Sequence, residues 1–401
     1  MRPLTIFTAL LVIAAAASAR LMTKHEIRER QLEAAKRWQT SGRLAVRAAA
    51  GYAKPSGVKN ITFTNPKAAG PEGSLDDLIF WTSGGPGCSS LKALLQENGP
   101  LSWSWGQAKP TVNEQSWMNL SSVLWVEQPV GTGFSQGTPN IQNEDDLAVQ
   151  LIGFMQQFLD VFAELKGKKL YLTGESYAGA FVPYIANYIY ENPTLLDLSL
   201  QGIWIGDLQA QIPAVDFVKK YAGLFSFNQT YMNYLEKTAA QCNYTGYVDK
   251  YVTYPPTGLL PLPGDSVDPS GSCDVWNDIY NNALIINPAF NIYHIWDTYP
   301  VLWDVLGDLG SSVQSPVYFD RKEVKEAIHA PVDTEWTECS NVHVFPNGDG
   351  SLPSAFTVLP NVIEKSKRTV IAHGLADFIL IAEGARIVIQ NMTLFADRKK
   401  G

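Results

Sequence analysis

The chain has 401 residues, 46% of them hydrophobic and 17% charged, and a formal net charge of −8. That length and apolar content allow a sizeable core, in one large α/β domain or two smaller ones. There is no basic stripe, no Cys/His metal spacing and no phosphate-cradling glycine motif, so nucleic-acid binding, nucleotide chemistry and a metal or other cofactor are not expected.

Residues 1–19 combine Arg2, an apolar stretch and the small residues Ala17, Ser18 and Ala19, the pattern of a secretory signal peptide. The apolar run is too short for a good membrane span, and no later run reaches the roughly eighteen residues a span needs. Residues 20–57 read as a charged helical or pro-like segment, and 58–401 as the main domain, with an early strand at 61–64. The expected destination is secretion, or a vacuolar or lysosome-like compartment reached by the same route. Five Asn-x-Ser/Thr sequons, at Asn60, Asn119, Asn228, Asn243 and Asn391, agree with this. So do four cysteines, Cys88, Cys242, Cys273 and Cys339, an even set with three possible connectivities.

From residue 78 the pattern turns repetitive. Short apolar runs at 78–81, 123–126, 170–173, 203–205 and 369–372 read as buried parallel strands. Between the second and third, residues 143–162 read as an amphipathic helix with Leu147, Leu151, Phe154, Phe158 and Val161 on its apolar face. Strands alternating with helices predict a doubly wound, mostly parallel sheet with functional residues at the strand C-termini. The stretch from about 211 to 318, rich in Tyr, Trp, Asn and Pro and carrying the loop 255–271, breaks this rhythm. It reads as an insertion that caps the sheet edge.

Three segments, each following a strand, converge on one chemistry. The first is Gly174-Glu175-Ser176-Tyr177-Ala178-Gly179, a strand-to-helix elbow that lifts a serine above a helix N-terminus. The second, Ser83-Gly84-Gly85-Pro86-Gly87-Cys88-Ser89-Ser90, can present a bare backbone N–H to an oxyanion. The third, Gly374-Leu375-Ala376-Asp377, offers a carboxylate after the last strand. Taken together they closely resemble the serine carboxypeptidases, with their GGPGCSS loop, GESYAG elbow and late G-x-x-D turn. The run Glu127-Gln128-Pro129-Val130-Gly131-Thr132-Gly133-Phe134-Ser135 is similar to another segment of that family, and the wording is most like its secreted fungal members.

The resemblance implies an α/β-hydrolase fold and release of C-terminal residues from peptides at acidic pH. Ser176 would be the nucleophile and Asp377 the residue that orients the base. The N–H groups of Gly85 and Tyr177 would form the oxyanion hole. Ser83, the Gly84 backbone and Glu175 would read the substrate's terminal carboxylate, with Glu97 in support. The implied disulfides are Cys88–Cys339 and Cys242–Cys273.

The chain departs from the family pattern in three ways. Ser83 stands where the family usually has asparagine, shortening the reach of a donor. The early antiparallel strands before the glycine loop are nearly missing, so the fold is expected to be incomplete at both ends. All five histidines, His25, His294, His329, His343 and His373, precede Asp377, whereas triads of this fold run Ser, Asp, His. His373, beside the Asp377 turn, is expected to be a packed residue and not the base. An inactive form is therefore expected here, and two alternatives stand beside the peptidase: a non-catalytic binding remnant, and an acyltransferase on the same scaffold.

Overall fold

In the computed structural model the apolar runs become strands: β1 (Asp77–Thr82), β2 (Leu101–Ser102), β3 (Thr111–Val112), β4 (Ser122–Trp125), β5 (Lys169–Glu175), β6 (Ser199–Gly206) and β7 (Arg368–Ala372). The structure describes residues 77–104, 106–206, 212–253, 260–261, 263, 273–297, 305–306 and 317–392. The expected signal peptide, the segment 20–57, the strand at 61–64, the Asn60 sequon and nearly all of the loop 255–271 lie outside the described residues.

Five strands form one sheet in the order β4-β1-β5-β6-β7, and every neighbouring pair in it is parallel. A strand covered on both faces stays apolar at successive positions. That is why Leu78, Ile79, Phe80 and Trp81 show no alternation and are all buried. The register sets Thr82 beside Gly174, Gly174 beside Ile205, and Gly206 beside Ala372. Loops leaving β1, β5, β6 and β7 therefore open on one edge, where open α/β sheets bind ligands.

The helices used below are α1 (Leu91–Gln96), α2 (Glu144–Val161), α3 (Ala178–Glu191), α4 (Ala214–Lys220), α5 (Gln229–Gln241), α6 (Val275–Ile286), α7 (Leu359–Lys365) and α8 (Ala382–Asn391). Helix α2 starts where Asn143 Oδ1 accepts the Asp146 N–H at 2.9 Å, and its acidic first turn suits the positive end of the helix dipole. Its buried face differs from the expected one. Leu147, Ala148, Leu151, Ile152, Met155 and Leu159 enter the core, while Phe154 and Val161 are exposed. Phe154 and Phe162 instead stack along the outer flank on either side of Phe158, at 6.2 and 4.8 Å.

Helix α3 contains Pro183, which has no N–H to offer the carbonyl four residues back. The Ser354 hydroxyl takes over and donates to Gly179 O at 2.9 Å. The Tyr184 hydroxyl donates to Leu352 O at 2.7 Å, so the segment around 349–357 is stitched along α3.

Helices α4, α5 and α6 build a second core. Phe217, Phe225, Trp276, Ile279, Tyr280 and Phe290 pack there with Phe378 and the residues 379–381 that follow β7. Cys242 is bonded to Cys273 within this part of the chain. Among the described residues no helix is long and apolar enough to cross a membrane.

Candidate active site

Ser176 sits between β5 and α3 with a backbone φ of +57°, a left-handed conformation that a side chain disfavours. Its N–H donates to Gly206 O at 2.9 Å, which ties the turn to the end of β6. The small residues on either side have a steric cause. A Cβ on Gly174 would lie 2.5 Å from Thr82 O and 2.6 Å from Ala178 Cβ. Strand and helix approach too closely at this turn for anything larger.

The glycine loop after β1 presses on the same turn. A Cβ on Gly84 would lie 2.3 Å from Tyr177 N and 2.8 Å from Glu175 O. The peptide joining Gly84 to Gly85 thus neighbours the first peptide of the elbow helix. Gly85 adopts φ +114°, open to glycine alone, and precedes a cis bond to Pro86. Cys88 N donates to Gly84 O at 3.0 Å and closes the loop. From outside, Cys88 is bonded to Cys339, flanked by Ser89 N to Glu338 O and Ser340 N to Gly87 O, both 2.8 Å. From below, Ser90 Oγ accepts the Ser83 N–H at 3.0 Å and donates to Val126 O at 2.6 Å.

The 127–135 run serves this loop as a brace. Glu127 accepts from Ser89 Oγ, from Phe134 N at 2.5 Å and from Trp336 Nε1 at 3.2 Å. Burial raises the Glu127 carboxyl, and these hydrogen bonds offset only part of the rise. Gly133 is required beside it, since a Cβ there would meet Glu127 Oε1 at 2.0 Å.

Asp377 lies on the loop after β7 and is 9% exposed. Its Oδ1 accepts the N–H groups of Ile379 at 2.8 Å and Leu380 at 3.1 Å, which fixes the carboxylate from beneath. The half-buried His373, on the same loop, has Nε2 on the Leu380 carbonyl. His294 pairs with Asp297 at 2.7 Å, and His329 and His343 are exposed.

Two charged groups flank the elbow. On one side Lys92 Nζ lies 2.8 Å from Glu97 and 3.8 Å from Glu175. Burial draws the Lys92 ammonium down, but Glu97 and Glu175 outweigh it and hold the group above its usual value. On the other side the Tyr177 hydroxyl donates to Asp349 Oδ2 at 2.8 Å. Asp349 also faces Glu144, whose carboxyl is driven well above the usual carboxylate range, by burial first and by Asp349 second. Burial and the neighbouring Asp349 therefore both favour the neutral form of the Glu144 carboxyl.

The structure thus brings Gly84, Tyr177 and Glu175 together around Ser176 and joins Glu97 to Glu175 through Lys92. Asp377 lies on the same sheet edge, on the loop leaving the strand beyond β6. Ser83 is walled in at 2% exposure, and its Oγ has no hydrogen-bond partner among the described residues. Lys92, Asp349 and Glu144 were not read as site residues from the sequence. Lys92 meets Glu175, and Asp349 meets Tyr177 and Glu144, across long stretches of chain that no spacing signals. Among the described residues no cluster of His, Cys, Asp and Glu could hold a metal ion.

The family model described as serine carboxypeptidase (Peptidase S10) matches residues 39–400. A "probable serine carboxypeptidase" of Arthroderma benhamiae is 45% identical over 79% of this chain and 63% of its own length. The "serine-type carboxypeptidase F" of Aspergillus niger is 41% identical over 80% of this chain and 63% of its own. The chain therefore spans about 63% of the length of these curated relatives. Among solved structures, the prohormone-processing carboxypeptidase Kex1ΔP of Saccharomyces cerevisiae superimposes with a TM-score of 0.57 at 22% identity, covering 80% of this chain and 71% of that one. That likeness shows the fold, an α/β hydrolase.

Proposed function

Because this chain belongs to the serine carboxypeptidase family, we propose that it releases C-terminal residues from peptides through an acyl-Ser176 intermediate. The observation that carries the reading is the contact between the glycine loop and the elbow, with Gly84 held against Tyr177 N beside Ser176. In this mechanism Ser176 Oγ attacks the last peptide carbonyl. The N–H groups of Gly85 and Tyr177 stabilise the oxyanion, and preorganised donors of this kind contribute about 10²–10³ in rate each. The terminal amino acid leaves with the proton taken from Ser176, and water then hydrolyses the ester. Proton transfer requires an imidazole oriented by Asp377. His373, with its Nε2 on the Leu380 carbonyl, is given a structural role.

Glu175, Glu97 and the Gly84 backbone are assigned to the substrate's terminal carboxylate, which makes the enzyme an exopeptidase. Two bonded cystine pairs and the Asn-x-Ser/Thr sequons of the sequence support passage through the secretory pathway. Glu144, whose carboxyl burial and Asp349 raise above its usual range, supports a fold that is firmer at acidic pH.

The test uses an N-blocked dipeptide at acidic pH, as the free acid and as its C-terminal amide. In a protein that supplies the imidazole, the free acid should be cleaved much faster than the amide, and Ser176→Ala should bring turnover to background, a loss on the order of 10⁶ in related sites. With His373 held on Leu380 O, this chain should turn over neither ligand beyond background. Equal rates on acid and amide would sink the exopeptidase assignment, and activity surviving Ser176→Ala would sink the nucleophile.

A further inference from the structure

The two carboxylates assigned to the substrate's terminus pose an electrostatic problem. Glu97 and Glu175 are both carboxyl side chains, and neither brings a positive charge to a peptide carboxylate arriving between them. Ser83 cannot offset this, because its hydroxyl is enclosed at 2% exposure. Lys92 is placed differently. Its side chain is 28% exposed, and it stands between the two glutamates, one of which immediately precedes Ser176.

We propose that the Lys92 ammonium, held by Glu97 beside Glu175, receives the terminal carboxylate of the peptide substrate. The proposal rests on the exopeptidase reading above and names the group that makes it work. The contact with Glu97, at 2.8 Å, is a close ion pair, whereas Glu175 at 3.8 Å lies beyond hydrogen-bonding distance. A carboxylate entering on the Glu175 side therefore gains a charge-assisted partner without breaking the pair that anchors the lysine. The position is not one that helix geometry would choose. Lys92 lies in the first turn of α1, where the helix dipole disfavours a cation, so its carboxylate partners must hold it there. Burial lowers the ammonium, but Glu97 and Glu175 outweigh it and hold the group above its usual value, with Tyr293 adding in the same direction.

The test is a binding measurement on the whole chain, in a Ser176→Ala background that prevents turnover. N-acetyl-Phe-Leu and its C-terminal amide are titrated calorimetrically. The free acid should bind about 10- to 100-fold more tightly than the amide, the value of one charge-assisted hydrogen bond. Adding Lys92→Gln should bring the acid down to within about 3-fold of the amide and leave the amide's affinity unchanged, whereas Lys92→Arg should keep the preference. Lys92→Gln/Glu97→Gln removes the cation without stranding its anchor, and serves if the single variant does not fold. An acid preference that survives Lys92→Gln overturns the role of Lys92 and leaves the exopeptidase reading intact. No acid preference in the Ser176→Ala protein, or no binding of either ligand, overturns both.

Discussion

Glu144 stands in the first turn of α2 with its carboxyl buried against Asp349, and Asp349 accepts the hydroxyl of Tyr177. The raised Glu144 carboxyl therefore links the elbow to pH. The carboxyl is raised well above its ordinary value of 4.5 when folded, so its contribution is fully present below that value. It is lost as pH rises from 4.5 through the folded value, because the unfolded chain releases the proton more readily. Glu144→Gln keeps a neutral, similar shape and should narrow the gap in melting temperature between pH 5 and pH 7.5. A gap as wide as in the parent chain would show that Glu144 does not hold a proton. At this scale the placement of Ser176, Asp377 and the glycines at the sheet edge was legible, because each lies in a short motif just after a strand. Asp349 and Lys92 were not, since their roles come from contacts that no local pattern encodes.

The strands and helices were legible to different degrees, for a physical reason. A parallel strand covered on both faces is a short block of apolar residues, and each of the five blocks read from the sequence is a strand of the sheet. An amphipathic helix is harder, because aromatic residues can stack on a flank as readily as they enter a core. Phe154 does so on α2. Helix α3 carries a different kind of debt, since Pro183 leaves Gly179 O to the Ser354 hydroxyl. Gly179 and Ser354 are both buried, so Ser354→Ala strands a carbonyl away from water. The expected loss is about 1–3 kcal/mol in denaturant unfolding. A loss under about 0.5 kcal/mol, the size of an ordinary surface substitution, would mean that water replaces the hydroxyl.

Across the whole molecule, two cores meet at the Asp377 loop. Residues 378–381 belong to the core built by α4, α5 and α6, while the strand before them belongs to the sheet. Trp276 Nε1 donates to Phe378 O at 2.8 Å and its ring stacks on Phe378 at 5.6 Å. Phe378 N donates to Ile292 O at 2.9 Å, and Ile295 N to Ala376 O at 3.0 Å. A part that swung aside to admit substrate would have to break these bonds and dislodge the loop carrying the aspartate. The helical segment is thus a buttress and not a lid at this contact, and the two halves should open as one cooperative unit. Native-state deuterium uptake reads this directly: the Phe378 and Ile295 amides should exchange together, and as slowly as those of β5 and β6. Faster exchange at Ile295 and Phe378 than in the sheet would reveal an independent breathing motion over the site.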